Sequence, residues 1–290
     1  VKLKISVISI LSFALFACIS YNKEGLDNLD NEVRVIAHAG SGFASWIPFN
    51  PYPANSLTSI VKSLEEGATG VEVDVHMTAD KQFILYHDKK LDSKSAAIGC
   101  LSDMDLEELQ KVDYKLGFPF DWFQEEKLIS LNTLLDELSA RGSKHELHLD
   151  LRIHSECHDT NWDKMWEGVL LTHLDDLLSK SAYPKDKIYL ITYSRAMILH
   201  ARELNLPYHL NFEIIDATEE DIPWLLENSV QSVTIKPALL TPEISKELHQ
   251  KGIEVITFGA RSKSGNKKLL ELNPDVIQTN NVNALRELLE

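Results

Sequence analysis

The chain has 290 residues, of which 44% are hydrophobic and 25% charged, and its formal net charge is −15. That length suits one large α/β domain or two small ones, with ample apolar material for a core. A chain this acidic, with no block of Lys and Arg, repels phosphate backbones, which argues against nucleic acid as a partner.

The first residues predict an export signal. Lys2 and Lys4 precede an almost wholly apolar run from Ile5 to Phe16, too short to span a bilayer comfortably. The run ends in Leu15-Phe16-Ala17-Cys18, which resembles a bacterial lipoprotein box, where cleavage precedes a Cys that carries lipid. Residues 1–17 are expected to be signal peptide, Cys18 the lipidation site and the polar residues 18–32 a tether. The expected product is an exported bacterial lipoprotein of the cell envelope, periplasmic or at the outer-membrane face, touching the membrane through its N-terminal lipid. An ordinary cleaved signal with an incidental Cys18 is the competing reading. Cys100 and Cys157 could pair in an exported protein, though nothing in their spacing demands it.

From Val33 the chain alternates strand-like and helix-like segments. A short apolar strand, Val33–His38, precedes a helix over Asn55–Glu66, with Leu57, Ile60, Val61 and Leu64 on one face and Gly67 as a stop. Val71–His76 and Phe83–His87 form a hairpin. Strands follow at Glu146–Ile153, Ile188–Thr192, Tyr208–Phe212, Ser232–Lys236, Ile253–Phe258 and Asp275–Gln278. Helices separate them at Leu131–Ala140, Trp162–Ser179, Arg195–Leu204, Glu219–Glu227, Pro242–Lys251, Asn266–Leu272 and, last, Val282–Leu289. The βα alternation and its length predict a closed TIM (β/α)8 barrel over residues 33–290. One strand exceeds eight, and the hairpin accounts for it. An open doubly wound sheet is second choice, since no Gly-x-Gly-x-x-Gly turn follows the first strand. Residues 92–127 interrupt the pattern and read as a small insertion over one barrel mouth. They carry a helical piece, Asp103–Lys111, and the run Phe118-Pro119-Phe120-Asp121-Trp122-Phe123, whose aromatics could line a cleft, touch lipid or pack the insertion onto the barrel.

Two strands carry chemistry. Val71, Val73 and Val75 share one face, suited to covering helices, so Glu72, Asp74 and His76 point into the barrel. Two carboxylates buried together are costly unless a cation neutralises them, and oxygen ligands suit Mg²⁺ or Ca²⁺. Leu147, Leu149 and Leu151 repeat the device, turning His148, Asp150 and Arg152 inward. Asp150 is a candidate third metal ligand and Arg152 a candidate contact for an anionic substrate. His145, His148, His154, Cys157 and His158 raise a zinc site, but their spacing matches no tight Cys/His module. His38 and His87 end strands, where barrel enzymes place catalytic groups. Beside Glu-x-Asp they suit general acid and general base work near neutral pH.

His38, Glu72-x-Asp74 and His87-Asp88 together closely resemble the signature of glycerophosphodiester phosphodiesterases. Gly67-Ala68-Thr69-Gly70-Val71, Thr78-Ala79-Asp80-Lys81 and Ile129-Ser130-Leu131 agree with it. Gly252-Ile253-Glu254-Val255 and Asp275-Val276-Ile277-Gln278-Thr279-Asn280 resemble the family's last two strands, more weakly. The resemblance implies a TIM barrel and a divalent cation held by Glu72, Asp74 and Asp150. It implies His38 and His87 as the acid–base pair, with cleavage of a phosphodiester into a phosphomonoester and an alcohol. The family usually has Glu-x-Lys where this chain has Asp150-x-Arg152. It usually has Arg after the first His, where this chain has Ala39, and Pro-Glu-Asn-Thr where this chain has Pro53-Ala54-Asn55-Ser56. Arg152 and Lys236 are the expected compensating phosphate contacts. A phospholipase-like enzyme acting on lipid headgroups and an inactive phosphoryl-ligand-binding lipoprotein are the rival readings.

Overall fold

The structure is a computed structural model describing residues 32–153, 157–216 and 221–290. The expected signal peptide, Cys18 and all but the last residue of the tether lie outside the described residues, as does His154. Among the described residues no helix is long and apolar enough to cross a membrane.

Chain order gives β1 (Arg34–Ala37), β2 (Ser45–Trp46), β3 (Phe49–Asn50), α1 (Leu57–Glu65), β4 (Gly70–Met77), β5 (Phe83–Leu85), α2 (Leu106–Leu109), α3 (Leu131–Ala140) and β6 (Glu146–Leu151). Then follow α4 (Thr160–Lys180), β7 (Ile188–Thr192), α5 (Arg195–Glu203), β8 (His209–Ile214), α6 (Asp221–Glu227), β9 (Ser232–Ile235), α7 (Pro242–Gln250), β10 (Glu254–Phe258), α8 (Lys263–Leu270), β11 (Val276–Thr279) and α9 (Val282–Leu289). Strands β1, β4 and β6 to β11 run parallel, and β1 pairs with both β11 and β4, which closes the eight-stranded barrel. The ninth strand of the sheet, β5, pairs antiparallel with β4, so the hairpin is the excess strand. Helix starts are set by side-chain oxygens that accept backbone N–H groups: Ser56 for α1, Ser130 for α3, Asp159 for α4, Ser194 for α5 and Thr241 for α7.

The alternation along β4 and β6 decides what is core and what is site. Val71, Val73, Val75, Leu147, Leu149 and Leu151 are buried with Leu131, Leu134, Leu135 and Leu138 of α3 and Leu170 and Leu174 of α4. Burying each such side chain contributes about 1.5–3 kcal/mol. Their neighbours therefore face the barrel axis. In the β4–β6 register Glu72 lies opposite His148 and Asp74 opposite Asp150. At the N-terminal end of the strands Arg34 crosses the interior to Glu146 and Glu254 and donates to Tyr189 Oη at 3.1 Å. Beside that plug Asn211 donates to Ser232 Oγ and accepts from Thr234 Oγ1.

The insertion packs on β5 through its own apolar cluster of Ile84, Tyr86, Leu91, Leu101, Leu109, Tyr114 and Leu128. The expected helix Asp103–Lys111 is shorter, Leu106–Leu109, because Asp105 and Glu108 form a capping box that starts it late. Cys100 and Cys157 are joined as a disulfide with Cα atoms 6.4 Å apart, tying the insertion to the segment after β6. The described members of the zinc grouping do not converge as one set: Cys157 is in this disulfide, His148 lies inside the barrel, His145 pairs with Ser143 and His158 with Asp103. The aromatic run divides. Phe120 is buried against Trp46 and Phe49 of the small β2–β3 hairpin, whereas Trp46 and Trp122 are 63% and 76% exposed. That hairpin lies in Gly40–Tyr52, to which the sequence pattern assigns no element.

Candidate active site

One carboxylate oxygen each from Glu72, Asp74 and Asp150 lies within 4.8 Å of the others. Glu72 and Asp74 are fixed before any ligand arrives. Ala39 donates its backbone N–H to Glu72 Oε2 at 2.7 Å, and does so from a left-handed turn at Ala39 and Gly40. Gly40 is required there: its φ is +66°, and a Cβ would meet Ile60 Cγ1 at 2.7 Å and Ile60 N at 2.9 Å. Asn55 clamps Asp74 twice, donating to Oδ2 at 2.7 Å and accepting from the Asp74 backbone N–H at 3.0 Å. The Asn of Pro53-Ala54-Asn55-Ser56 thus holds a metal-ligand candidate, while Ser56 caps α1. Arg152 bridges the cluster through Asp74 Oδ1 and Asp150 Oδ2.

Burial dominates the electrostatics. It raises Glu72 well above the usual carboxylate range, and Asp74 and Asp150 add to the rise. Burial also raises Asp150; Arg152 pulls it back and Asp74 pushes it further, leaving it at about 7. Burial opposes ionisation of Asp74 too, but Arg152, His87 and Asn55 overcome it and hold Asp74 down at about 2. Three carboxylates facing one guanidinium leave two negative charges, which one divalent cation balances. The all-oxygen donor set fits a hard cation of that kind.

His38 lies at the end of β1, as expected. Its Nδ1 is 2.7 Å from Asn280 Oδ1, which can only accept, so Nδ1 carries the proton and Nε2 the lone pair, 3.8 Å from Glu72 Oε2. Asn280 Nδ2 donates to Gly259 O, which orients the amide that way. Burial lowers the His38 pKa, partly offset by Asn280. His87 lies two residues beyond β5 rather than on it. Its Nδ1 is 2.6 Å from Asp88 Oδ1, and Asp88 is held in turn by Ser93. Phe43 packs against both histidines, with centroid distances of 5.2 Å to His38 and 5.7 Å to His87.

His38, Glu72, His87, Asp150 and Arg152 line one pocket of about 200 Å³, together with Ile191, Glu213, Thr234, Phe258 and Gln278. Asp74 lies behind its floor. Lys236 is absent from that lining: its Nζ is 3.8 Å from Asp216, past the end of β9. His76 and His148 also face inward, but burial keeps His76 neutral with a pKa near 3, and His148 stacks on Tyr189 below the site. Glu213 was not singled out by the sequence pattern. Leu210-Asn211-Phe212-Glu213-Ile214 alternates like β4 and β6, and that signal could have found it.

Residues 49–284 match the glycerophosphoryl diester phosphodiesterase family. A glycerophosphodiester phosphodiesterase of Caldanaerobacter subterraneus subsp. tengcongensis is 21% identical over 260 residues, 88% of this chain and 97% of that protein. Human glycerophosphodiester phosphodiesterase 1 is 23% identical over 249 residues, 78% of this chain and 71% of that one. In fold, the chain is similar to an Oleispira antarctica phosphodiesterase solved with the product sn-glycerol-3-phosphate. The TM-score is 0.75 and the identity 18%, covering 88% of this chain and 96% of the other. A Parabacteroides distasonis glycerophosphodiester phosphodiesterase gives a TM-score of 0.69 at 18% identity, covering 89% and 97%. The match spans most of the barrel and includes Glu72, Asp74, His87 and Asp150, so the chain belongs to the glycerophosphoryl diester phosphodiesterase family.

Proposed function

We propose that the protein hydrolyses glycerophosphodiesters to glycerol 3-phosphate and an alcohol, with His38 and His87 as the proton-transfer pair. The observation that carries this reading is the convergence of both histidines, Glu72, Asp150 and Arg152 on one pocket, with Asp74 directly behind. A divalent cation, Mg²⁺ or Ca²⁺, held by Glu72, Asp74 and Asp150 would polarise the phosphoryl oxygens and stabilise their charge.

The chain's own groups supply the rest. Arg152, pinned by Asp74 and Asp150, lines the pocket, where a phosphate oxygen can accept its remaining N–H groups. His38 is neutral, with its Nε2 lone pair facing the pocket, so it takes a proton from the attacking water. The Asp88 carboxylate 2.6 Å from Nδ1 orients the His87 ring, so His87 is the group that gives the proton to the departing alkoxide. This is the same use of a carboxylate behind an imidazole that orients hydrolase triads. Lys236, outside the pocket lining, is assigned the outer part of the substrate.

Turnover of glycerophosphocholine and a chromogenic phosphodiester by the purified protein, with and without EDTA, tests the reading beside His38→Ala and Glu72→Ala. Glycerol 3-phosphate and free alcohol are the expected products, formed only with metal; diacylglycerol or a cyclic phosphate as end product would point to the phospholipase-like alternative. No metal-dependent turnover of any diester would sink it. The N-terminal pattern supports export as a lipoprotein. Labelling with an alkyne fatty acid, lost in Cys18→Ser, is the expected result; label retained in that variant counts against it.

A further inference from the structure

A second concavity, a groove of about 360 Å³, is lined by Phe43, the ring that packs against both histidines of the catalytic pocket. Phe43, Leu116 and Phe120 give it apolar sides, and Lys94, Lys115 and Arg261 line it. Lys94 Nζ is 5.7 Å from the Phe43 centroid, and the same ring meets His87 edge-on at 5.7 Å. One aromatic ring therefore separates the groove from the catalytic histidine. The cations are held there by the backbone: Lys115 N–H donates to Lys94 O at 2.8 Å, and Arg261 Nη2 donates to Phe43 O at 3.3 Å.

The charge of this groove is not explained by the protein's own acids. Among the described residues Lys115 and Arg261 form no ion pair. Lys94 acts on Asp88 only from beyond ion-pair distance, and Asp88 is already engaged by His87 and Ser93. Other basic side chains around the barrel are matched to a carboxylate, as in the pairs of Lys62, Lys111, Lys127, Arg141 and Lys180. In a chain of net charge −15, three cations on one groove, two of them without an ion pair among the described residues, concentrate a positive field there. A second anion of the substrate would meet that field.

We infer that this groove is a specificity subsite for an alcohol moiety bearing a second anionic group, a phosphate or carboxylate, with its carbon chain lying along Phe43, Leu116 and Phe120. The inference rests on the activity proposed above and adds the class of diester preferred: doubly charged rather than neutral or cationic at the alcohol. The bond broken is unchanged. Water adds across the same P–O bond, and the alcohol leaves with its second anionic group intact.

Steady-state kinetics of the metal-loaded protein on two substrates test it: glycerophosphoglycerol, whose alcohol is neutral, and bis(glycerophospho)glycerol, whose alcohol carries a second phosphodiester. Wild type is expected to show the lower KM for the second. Lys115→Gln and Arg261→Gln are each expected to raise that KM about tenfold, the scale of a hydrogen bond to a charged group, with kcat kept. Both should leave glycerophosphoglycerol within about twofold, and Lys115→Arg should restore the KM. Equal KM values for the two substrates in wild type, or equal losses on both in the variants, overturn the subsite. Millimolar inorganic phosphate separates an independent anion site. If it alters glycerophosphoglycerol turnover in wild type but not in Lys115→Gln, the groove binds free anion and the substrate assignment fails. If wild type turns over neither diester, the activity is what has failed. Calorimetric titration of bis(glycerophospho)glycerol then decides the groove, and unchanged affinity in Lys115→Gln overturns it.

Discussion

Removing the metal should make the fold sensitive to pH in a window where the loaded protein is not. In the metal-free site Asp150 titrates at about 7 against an ordinary value of 3.8. At about 1.4 kcal/mol per pH unit, that gap corresponds to about 4 kcal/mol. The sign follows from which state keeps the proton. Below about pH 4 both folded and unfolded chains hold it, and stability is full. As pH rises the unfolded chain ionises first, so the folded state loses stability up to about pH 7 and is level beyond. Glu72, also raised, acts in the same direction. Asp74, lowered to about 2, acts oppositely, but its contribution is lost only as pH falls from about 4 toward 2, below this window. A bound divalent cation keeps all three carboxylates ionised and removes the slope. Thermal unfolding followed by circular dichroism, at pH 5 and pH 7.5, with EDTA or with excess Mg²⁺ or Ca²⁺, measures the difference. At about 2–4 °C per kcal/mol for a domain of roughly this size, the loaded protein should melt about 10 °C higher at pH 7.5. The gap should shrink at pH 5. A gap equal at both pH values, or none at pH 7.5, refutes the reasoning that these three carboxylates share a cation.

Other substitutions probe the remaining parts of the site. His38→Gln should lower kcat by about 10²–10⁴-fold, as expected for loss of a general base, with a KM change much smaller than the kcat change; a full-rate variant excludes His38 from proton transfer. Asn280→Leu removes the acceptor that fixes the His38 tautomer. It should lower kcat and leave the far-ultraviolet spectrum unchanged. Gly40→Ala places a Cβ within 2.7–2.9 Å of Ile60 and Ser59 at a positive φ, and should cost about 3 kcal/mol in urea unfolding. Reduction of the Cys100–Cys157 bridge releases a loop with a sequence separation of 57. Loop entropy alone sets that loss at about 4 kcal/mol, read as a lower urea midpoint in dithiothreitol.

How much of this was legible in the sequence depended on whether a side chain's role is set by its own strand. Strict alternation in Val71-Glu72-Val73-Asp74-Val75 tells which residues face inward, because a strand has a period of two and the valines must be covered. The same holds for Asp150 and Arg152, which the structure brings onto Asp74. The location of His38 at the end of β1 was equally readable. Contacts made across the barrel were not. That Asn280 of the β11 end orients His38, or that the Ala39 amide holds Glu72, depends on which strands become neighbours when the sheet closes. The β2–β3 hairpin escaped notice because two-residue strands leave no periodic signal. Helix α8 was expected from Asn266. Ser262 instead accepts the Gly265 N–H and starts the helix at Lys263.

The plug formed by Arg34, Glu146, Glu254 and Tyr189 sits at the opposite end of the barrel from the histidines. It gives the molecule a floor whose durability can be engineered apart from its chemistry. A library of substitutions at that floor should spread in melting temperature at constant turnover, and a library in the loops above β7 to β10 should do the reverse. Strand β4 is where the separation fails. It begins at Gly70, where a Cβ would press on the Glu146 carbonyl oxygen of the floor, and four residues later it presents Asp74 to the cluster. Hardening the scaffold and altering its substrate range therefore compete along that strand, and a directed-evolution campaign that spares residues 70–77 keeps the two goals independent.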